Sequence, residues 1–166
     1  SSARLLPQHP ARVSPHAALS HTACMFDYLV LSAADRLSIV GVLDWEMCPL
    51  GDPLMDLGCA LAYWVQADDA APLQVARMQP SHLPGMLTRA EIIRHYSEKT
   101  GLNVANPDYY FVFGLFRLGV IAQLIYYRYK LGQTKNPRYQ MFGAFVGVLA
   151  QTCDTIIQKT NIQSSP

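Results

Sequence analysis

The stretch Ile39-Val40-Gly41-Val42-Leu43-Asp44-Trp45-Glu46, followed by Gly51-Asp52-Pro53-Leu54-Met55-Asp56-Leu57, decides the reading of this chain. An apolar, β-type run delivers a carboxylate at its end, and a Gly-Asp-Pro turn then opens a helix. An acid in that position is held rigidly by the strand yet stays open to solvent, which is what a magnesium-nucleotide site requires.

Upstream of this stretch, Phe26 to Leu31 is a second β-type run, separated from Leu37 to Leu43 by Ser32-Ala33-Ala34-Asp35-Arg36. Five polar or small residues between two such runs predict a β-hairpin. Downstream, Asp52 is a good N-cap with Pro53 at the first helical position. Leu54, Leu57, Leu61 and Val65 recur on one face of the helix that follows. Ala67 to Leu87 carries Pro72, Pro80 and Pro84 and reads as a long loop with at most a short helical turn. Thr88-Arg89-Ala90-Glu91 is a capping box, starting a helix that ends at Gly101. Asn106-Pro107-Asp108 opens a nearly apolar helix ending near Gly132, expected to be the buried central element. Arg117, Gln123, Gly114 and Gly119 interrupt it, which argues for a core helix over a membrane span. Pro137 opens a last helix, about Arg138 to Lys159, with Phe142, Phe145, Val146, Leu149 and Ile156 inward. Residues 1–20 read as an irregular leader and residues 161–166 as a tail.

The bulk properties narrow the class. A chain of 166 residues buries one substantial core, as one domain or one lobe of a larger one. Hydrophobic content of 51% with 15% charge specifies a folded chain. A net charge of +1 makes no electrostatic case for nucleic acid or for an anionic membrane, so neither is expected as a partner. Cys24, Cys48, Cys59 and Cys153 form no C-x-x-C pair, and no basic-then-apolar signal opens the chain. The expectation is a reduced, cytoplasmic protein.

The V-L-D-W-E run with its G-D-P-x-x-D-L sequel resembles the metal-binding segment of the aminoglycoside phosphotransferase and choline kinase-like phosphotransferases. The likeness is greatest to the branch fused to, or found beside, acyl-CoA dehydrogenases. Phe116-Arg117 through Gln123, with Arg128, is similar to the F-R-x-A-x-I-x-Q-G-x-x-x-R helix of that branch. The resemblance implies an α+β, mainly α fold: the C-terminal, substrate-side lobe of a protein-kinase-like structure, a hairpin followed by about four helices, over residues 21–160. It also implies transfer of the ATP γ-phosphoryl group to a small-molecule hydroxyl, with Mg2+ and ATP as cofactors, the branch's acceptor being thought to be a hydroxyacyl metabolite. Asp44 then matches the acid that ligates magnesium, with Glu46 as a second acid on the metal or substrate side. The plainer alternatives are a turn or capping role for Asp44 and an exposed loop position for Glu46. Asp52 and Asp56 read as structural supports of the catalytic loop. Arg117, inside an apolar helix, needs a partner; a carboxylate such as Asp52 or Asp56 is expected, the alternative being that it snorkels to the surface.

The family's catalytic loop reads H-G-D-x-x-x-x-N, and here it corresponds to His21-Thr22-Ala23-Cys24-Met25-Phe26-Asp27-Tyr28. His21, a loop support, and Asp27, the one acid left in the loop, are retained. The position of the family base is Ala23, and that of the Asn supplying a second metal contact is Tyr28. Alanine offers no lone pair and a neutral phenol is a poor magnesium ligand. Only some twenty residues precede His21, too few for the upstream lobe of such kinases. Three readings follow: a kinase-family lobe inactive as this isolated chain, a non-catalytic remnant or binding module, or the product of a truncated or frame-shifted gene.

Overall fold

A computed structural model describes residues 17–22 and 25–163, with side chains through residue 160. Strand β1 (Ala18–Leu19) pairs antiparallel with β4 (Leu50–Gly51), and β2 (Leu29–Leu31) pairs antiparallel with β3 (Ile39–Val42). The end of the segment expected to be irregular is therefore a short strand, anchored by the Ser20 amide donating to Pro49 O at 3.0 Å. A pairing partner thirty residues away leaves no local pattern in so short a segment.

The hairpin forms as the two β-type runs predict, with Leu29 opposite Val42, Leu31 opposite Ile39 and a bulge between Val30 and Leu31. Its turn is built by Asp35, whose carboxylate accepts from the Leu37 amide at 3.0 Å and the Ser38 hydroxyl at 2.6 Å. Phe26–Tyr28 closes into a 3-10 turn ahead of β2.

Five helices follow. Helix α1 (Pro53–Tyr63) starts at Asp52, whose carboxylate accepts from the Leu54 amide at 2.9 Å, with Pro53 in its first turn. Helix α2 (Ala71–Val75) is the one short turn of the Pro-rich loop. Helix α3 (Arg89–Thr100) begins with the predicted capping box, in which Thr88 Oγ1 and the Glu91 carboxylate satisfy each other's backbone amides, and ends at Gly101 in the left-handed region, φ +73°. Helix α4 (Pro107–Lys130) ends against Gly132, φ +71°. A 3-10 turn, Pro137–Met141, leads into α5 (Phe142–Gln163).

The core lies where α1, α4 and α5 meet and is built on Leu115, Leu118, Leu149, Cys153 and Ile157, with Ala62 and Tyr63 from α1. Where α1 crosses α4 the backbones nearly touch: a Cβ on Gly114 would lie 2.1 Å from Gly58 O, and one on Gly58 2.1 Å from Tyr110 O. Only glycine fits at either position. Helix α4 and the helical segment Pro137–Thr160, which takes in most of α5, are each long and apolar enough to cross a membrane, by length and composition alone.

Helix α4 departs from the expectation of a central helix buried all round. Val112, Gly114, Leu115, Leu118 and Ala122 are buried, whereas Phe116, Val120, Leu124 and Tyr127 are 44–57% exposed. Two helices cover two sides of it, and an apolar sequence does not count its neighbours.

Candidate functional site

The site is assembled where the loop after β1 meets the end of the hairpin. His21 and Thr22 are buried, and their conformation is imposed from three directions. From α1, the Asp56 carboxylate accepts the His21 amide at 2.8 Å and the Thr22 amide at 2.6 Å. From α4, the Arg117 guanidinium donates to Thr22 O and, at 2.8 Å, to Thr22 Oγ1. From the hairpin, Leu43 O accepts from His21 Nε2 at 2.6 Å, one residue before Asp44. A carbonyl only accepts, so Nε2 carries a proton, and the buried Nδ1 has no hydrogen-bond partner among the described residues. The imidazole also meets Trp45 edge-on, 5.0 Å between centroids, and Trp45 Nε1 donates to Val42 O at 2.6 Å.

Arg117 therefore finds its partner in the loop backbone and not in Asp52 or Asp56. Asp56 is already committed to two loop amides, and Asp52 to its helix cap. The physical demand was read correctly, since an arginine in an apolar helix must be satisfied. A carbonyl and a hydroxyl oxygen satisfy its N–H donors here, and the pair Thr22–Arg117 lies 95 residues apart.

Asp44 comes two residues after β3, exposed, with φ +71°; Thr22 has φ +64°. These are the non-glycine residues with positive φ among those described, a conformation that costs about 1–3 kcal/mol unless its surroundings hold it. Both lie in the one loop-and-strand junction. Asp27 is exposed on the 3-10 turn, and Glu46 is exposed two residues beyond Asp44. These acids are gathered around Tyr28. Burial pushes its hydroxyl above the ordinary tyrosine value, and the charges of Asp44, Asp27 and Glu46 raise it further. Ala23, the position of the family base, lies outside the described residues.

The donor set can be tested against magnesium. The ion takes hard oxygens and is commonly held by one or two carboxylates plus the phosphates it bridges. Asp44 supplies such a carboxylate, but Tyr28, a protonated phenol facing Asp44, supplies no anionic oxygen. Among the described residues no three His, Cys, Asp or Glu side chains converge on a possible metal position. The residues fit one magnesium contact completed by phosphate oxygens, and not a second.

Gln79 was invisible as a site residue in the sequence. Buried in the Pro-rich loop, it accepts the Phe26 amide at 3.1 Å and donates to Tyr63 O at 3.3 Å, bracing the 3-10 turn against α1. No periodicity marks it; only its amide chemistry, a donor and an acceptor in one side chain, fits it to that bridge. Beside it lies an apolar cavity of about 220 Å³ lined by Met25, Phe26, Leu29, Leu61, Trp64 and Ile92. Trp64 serves that wall, Tyr63 belongs to the core, and Trp45 packs on His21.

Residues 2–91, just over half of the chain, match the profile of the phosphotransferase enzyme family. The chain is 30% identical over 148 residues to acyl-CoA dehydrogenase family member 10 of Mus musculus, covering 88% of this chain and 14% of that protein. It is 32% identical over 117 residues to acyl-CoA dehydrogenase family member 11 of Homo sapiens, covering 69% of this chain and 15% of that protein. The chain thus spans about one-seventh of the length of these curated relatives.

Proposed function

We propose, from the premise that this chain belongs to the phosphotransferase enzyme family, that it forms the substrate-side lobe of an ATP-dependent kinase acting on a small-molecule hydroxyl, and that its own catalytic loop no longer supports turnover. The observation that carries the reading is the three-way clamp on His21 and Thr22, which fixes the loop beside the strand end bearing Asp44. Phosphoryl transfer depends on positioning and charge neutralisation more than on covalent chemistry, so a rigid junction of this kind is its central requirement.

In this reading Asp44 holds magnesium, and the ion when bound neutralises charge on the phosphates. Glu46 stands on the same side. Asp27 is the one acid of the loop and is exposed. Ala23 cannot take a proton from an acceptor hydroxyl, and losing a general base typically costs a factor of about 10² to 10⁴. Tyr28 stands beside Asp44 at the place where the family has a metal-binding amide and offers no anionic oxygen there, which favours the second reading, a non-catalytic binding module. Calorimetric titration of the 166-residue chain with Mg-ATP separates these readings from a working kinase. The expected result is a dissociation constant on the order of 1 mM, about −4 kcal/mol, with no ATP turnover. A low-micromolar constant abolished by Asp44→Ala would overturn it.

A further inference from the structure

We propose that the exposed face of α4 and the α4–α5 connection form a docking surface for an anionic phospholipid membrane. This inference does not depend on the phosphotransfer reading. The net charge of +1 averages two regions of opposite composition. Eleven of the twelve acids lie between Asp27 and Asp108 and the twelfth is Asp154, so residues 109–153 contain none. Within that acid-free span the corner presents Arg128, Lys130, Lys135 and Arg138 in eleven residues. None of the four takes part in the ion pairs of the described residues, which join Arg89 to Asp69 and Arg94 to Glu98.

The same corner carries an apolar ridge. Phe116, Val120, Leu124, Tyr127 and Leu131 are 44–57% exposed. At 100° per residue they fall within an arc of about 80°, flanked on one side by Arg128 and on the other by Lys130. An apolar stripe edged by cations, with tyrosine among them, is the pattern of a helix lying in a lipid interface, its apolar face about 5–10 Å deep and its cations reaching the phosphates. The connection is firmly built: Gly132 N–H donates to Tyr129 O and Gln133 N–H to Arg128 O, both at 3.0 Å, and the Tyr126 ring fills the space beside Gly143. Cations alone would serve a nucleic acid; five exposed apolar side chains in the same patch favour lipid. Docking is peripheral, because α4 is held in the fold by its packing on α1 and α5 and by Arg117 on Thr22.

The test is flotation of the full chain with vesicles of phosphatidylcholine alone and of phosphatidylcholine mixed with phosphatidylserine. The chain is expected to float with the mixed vesicles only, and to be released at high salt. Arg128→Gln and Lys130→Gln are each expected to weaken partitioning about five-fold, as one cation near an anionic surface does. Leu131→Ser should weaken it as well. Should the α4 variants shift the thermal melt, Lys135→Gln and Arg138→Gln, outside the helix, repeat the measurement. Failure to float, equal flotation with neutral vesicles, or tighter binding to RNA than to mixed vesicles would overturn the proposal. So would a dimer that Leu131→Asp dissociates, since a second copy would then own the ridge.

Discussion

Thr22 shows how much of the site rests on one side chain. A β-branched residue at φ +64° is disfavoured, and glycine would adopt that backbone freely. Threonine, however, brings Oγ1 to Arg117, and a hydrogen bond to a charged group contributes about 1.5–3 kcal/mol. The bond and the strain are of similar size, and glycine adds about 0.5–1 kcal/mol of backbone entropy, so Thr22→Gly is expected to destabilise by about 1 kcal/mol. Thr22→Val keeps the strain and loses the bond, and should cost about 2–3 kcal/mol on the same scale. Urea unfolding of both variants checks the order; a valine variant as stable as the parent would mean that Arg117 gains nothing from the hydroxyl. Asp56→Ala strips two loop amides of their acceptor and is expected to cost about 3 kcal/mol or more. By contrast Asp52→Ala removes a helix cap at about 1 kcal/mol. The smaller of these contributions were the legible ones. Asp52 before Pro53 and Thr88 three residues before Glu91 are local spacings with local causes, whereas Thr22–Arg117 is made only by the completed fold.

At the scale of elements, caps and alternation located the hairpin and the four long helices, because each depends on residues within a few positions of one another. How the elements meet was less visible. The Gly58–Gly114 crossing places α4 so that Arg117, three residues on, reaches the loop. Gly114→Ala forces a methyl group into Gly58 O, so the helices must part; a loss of about 3 kcal/mol is expected from overpacking against backbone that cannot yield. The variant should also loosen the loop, and amide hydrogen exchange at His21 and Thr22 measures that directly. Protection unchanged from the parent would show that the crossing and the clamp are uncoupled. The Pro-rich connection is held by a comparable device. Arg89 makes a bidentate pair with Asp69 at 2.5 and 2.7 Å, donates to Trp64 O and stacks over Phe111 at 4.7 Å. Arg89→Met leaves Asp69 largely buried without its cation, and a loss of about 3–5 kcal/mol is expected in thermal or urea unfolding. Nothing near Arg89 or Asp69 in the sequence announces that pair; twenty residues separate them, and only packing brings the two together.

Across the whole molecule, burial acts in one direction on a set of groups that are neutral when protonated. Desolvation is the leading cause that lifts the phenols of Tyr28, Tyr63, Tyr96 and Tyr110 and the thiols of Cys59 and Cys153, the last from 9.0 to about 11. Arg117 opposes the shift at Cys59 and Tyr63 without reversing it. The sign of the consequence follows from proton counting. Above the ordinary values the unfolded chain releases these protons while the folded chain keeps them, so the folded state binds more protons and stability falls as pH rises. Their contribution is complete below about pH 9, where both states are protonated, and is lost progressively as pH climbs through the raised folded values. The urea midpoint is therefore expected to decline from about pH 9 toward pH 11, with little slope from these groups near neutrality. Thiolate absorbance from Cys59 and Cys153 should appear together with loss of helix, since these buried groups ionise by leaving the interior. A midpoint that stayed flat to about pH 11 would mean that the phenols and thiols ionise in place, and that the core between α1, α4 and α5 admits water readily. The same experiment bears on the site, because Tyr28 belongs to this set: burial and the charge of Asp44 keep its hydroxyl protonated at neutral pH, so it offers magnesium no anionic oxygen beside that carboxylate.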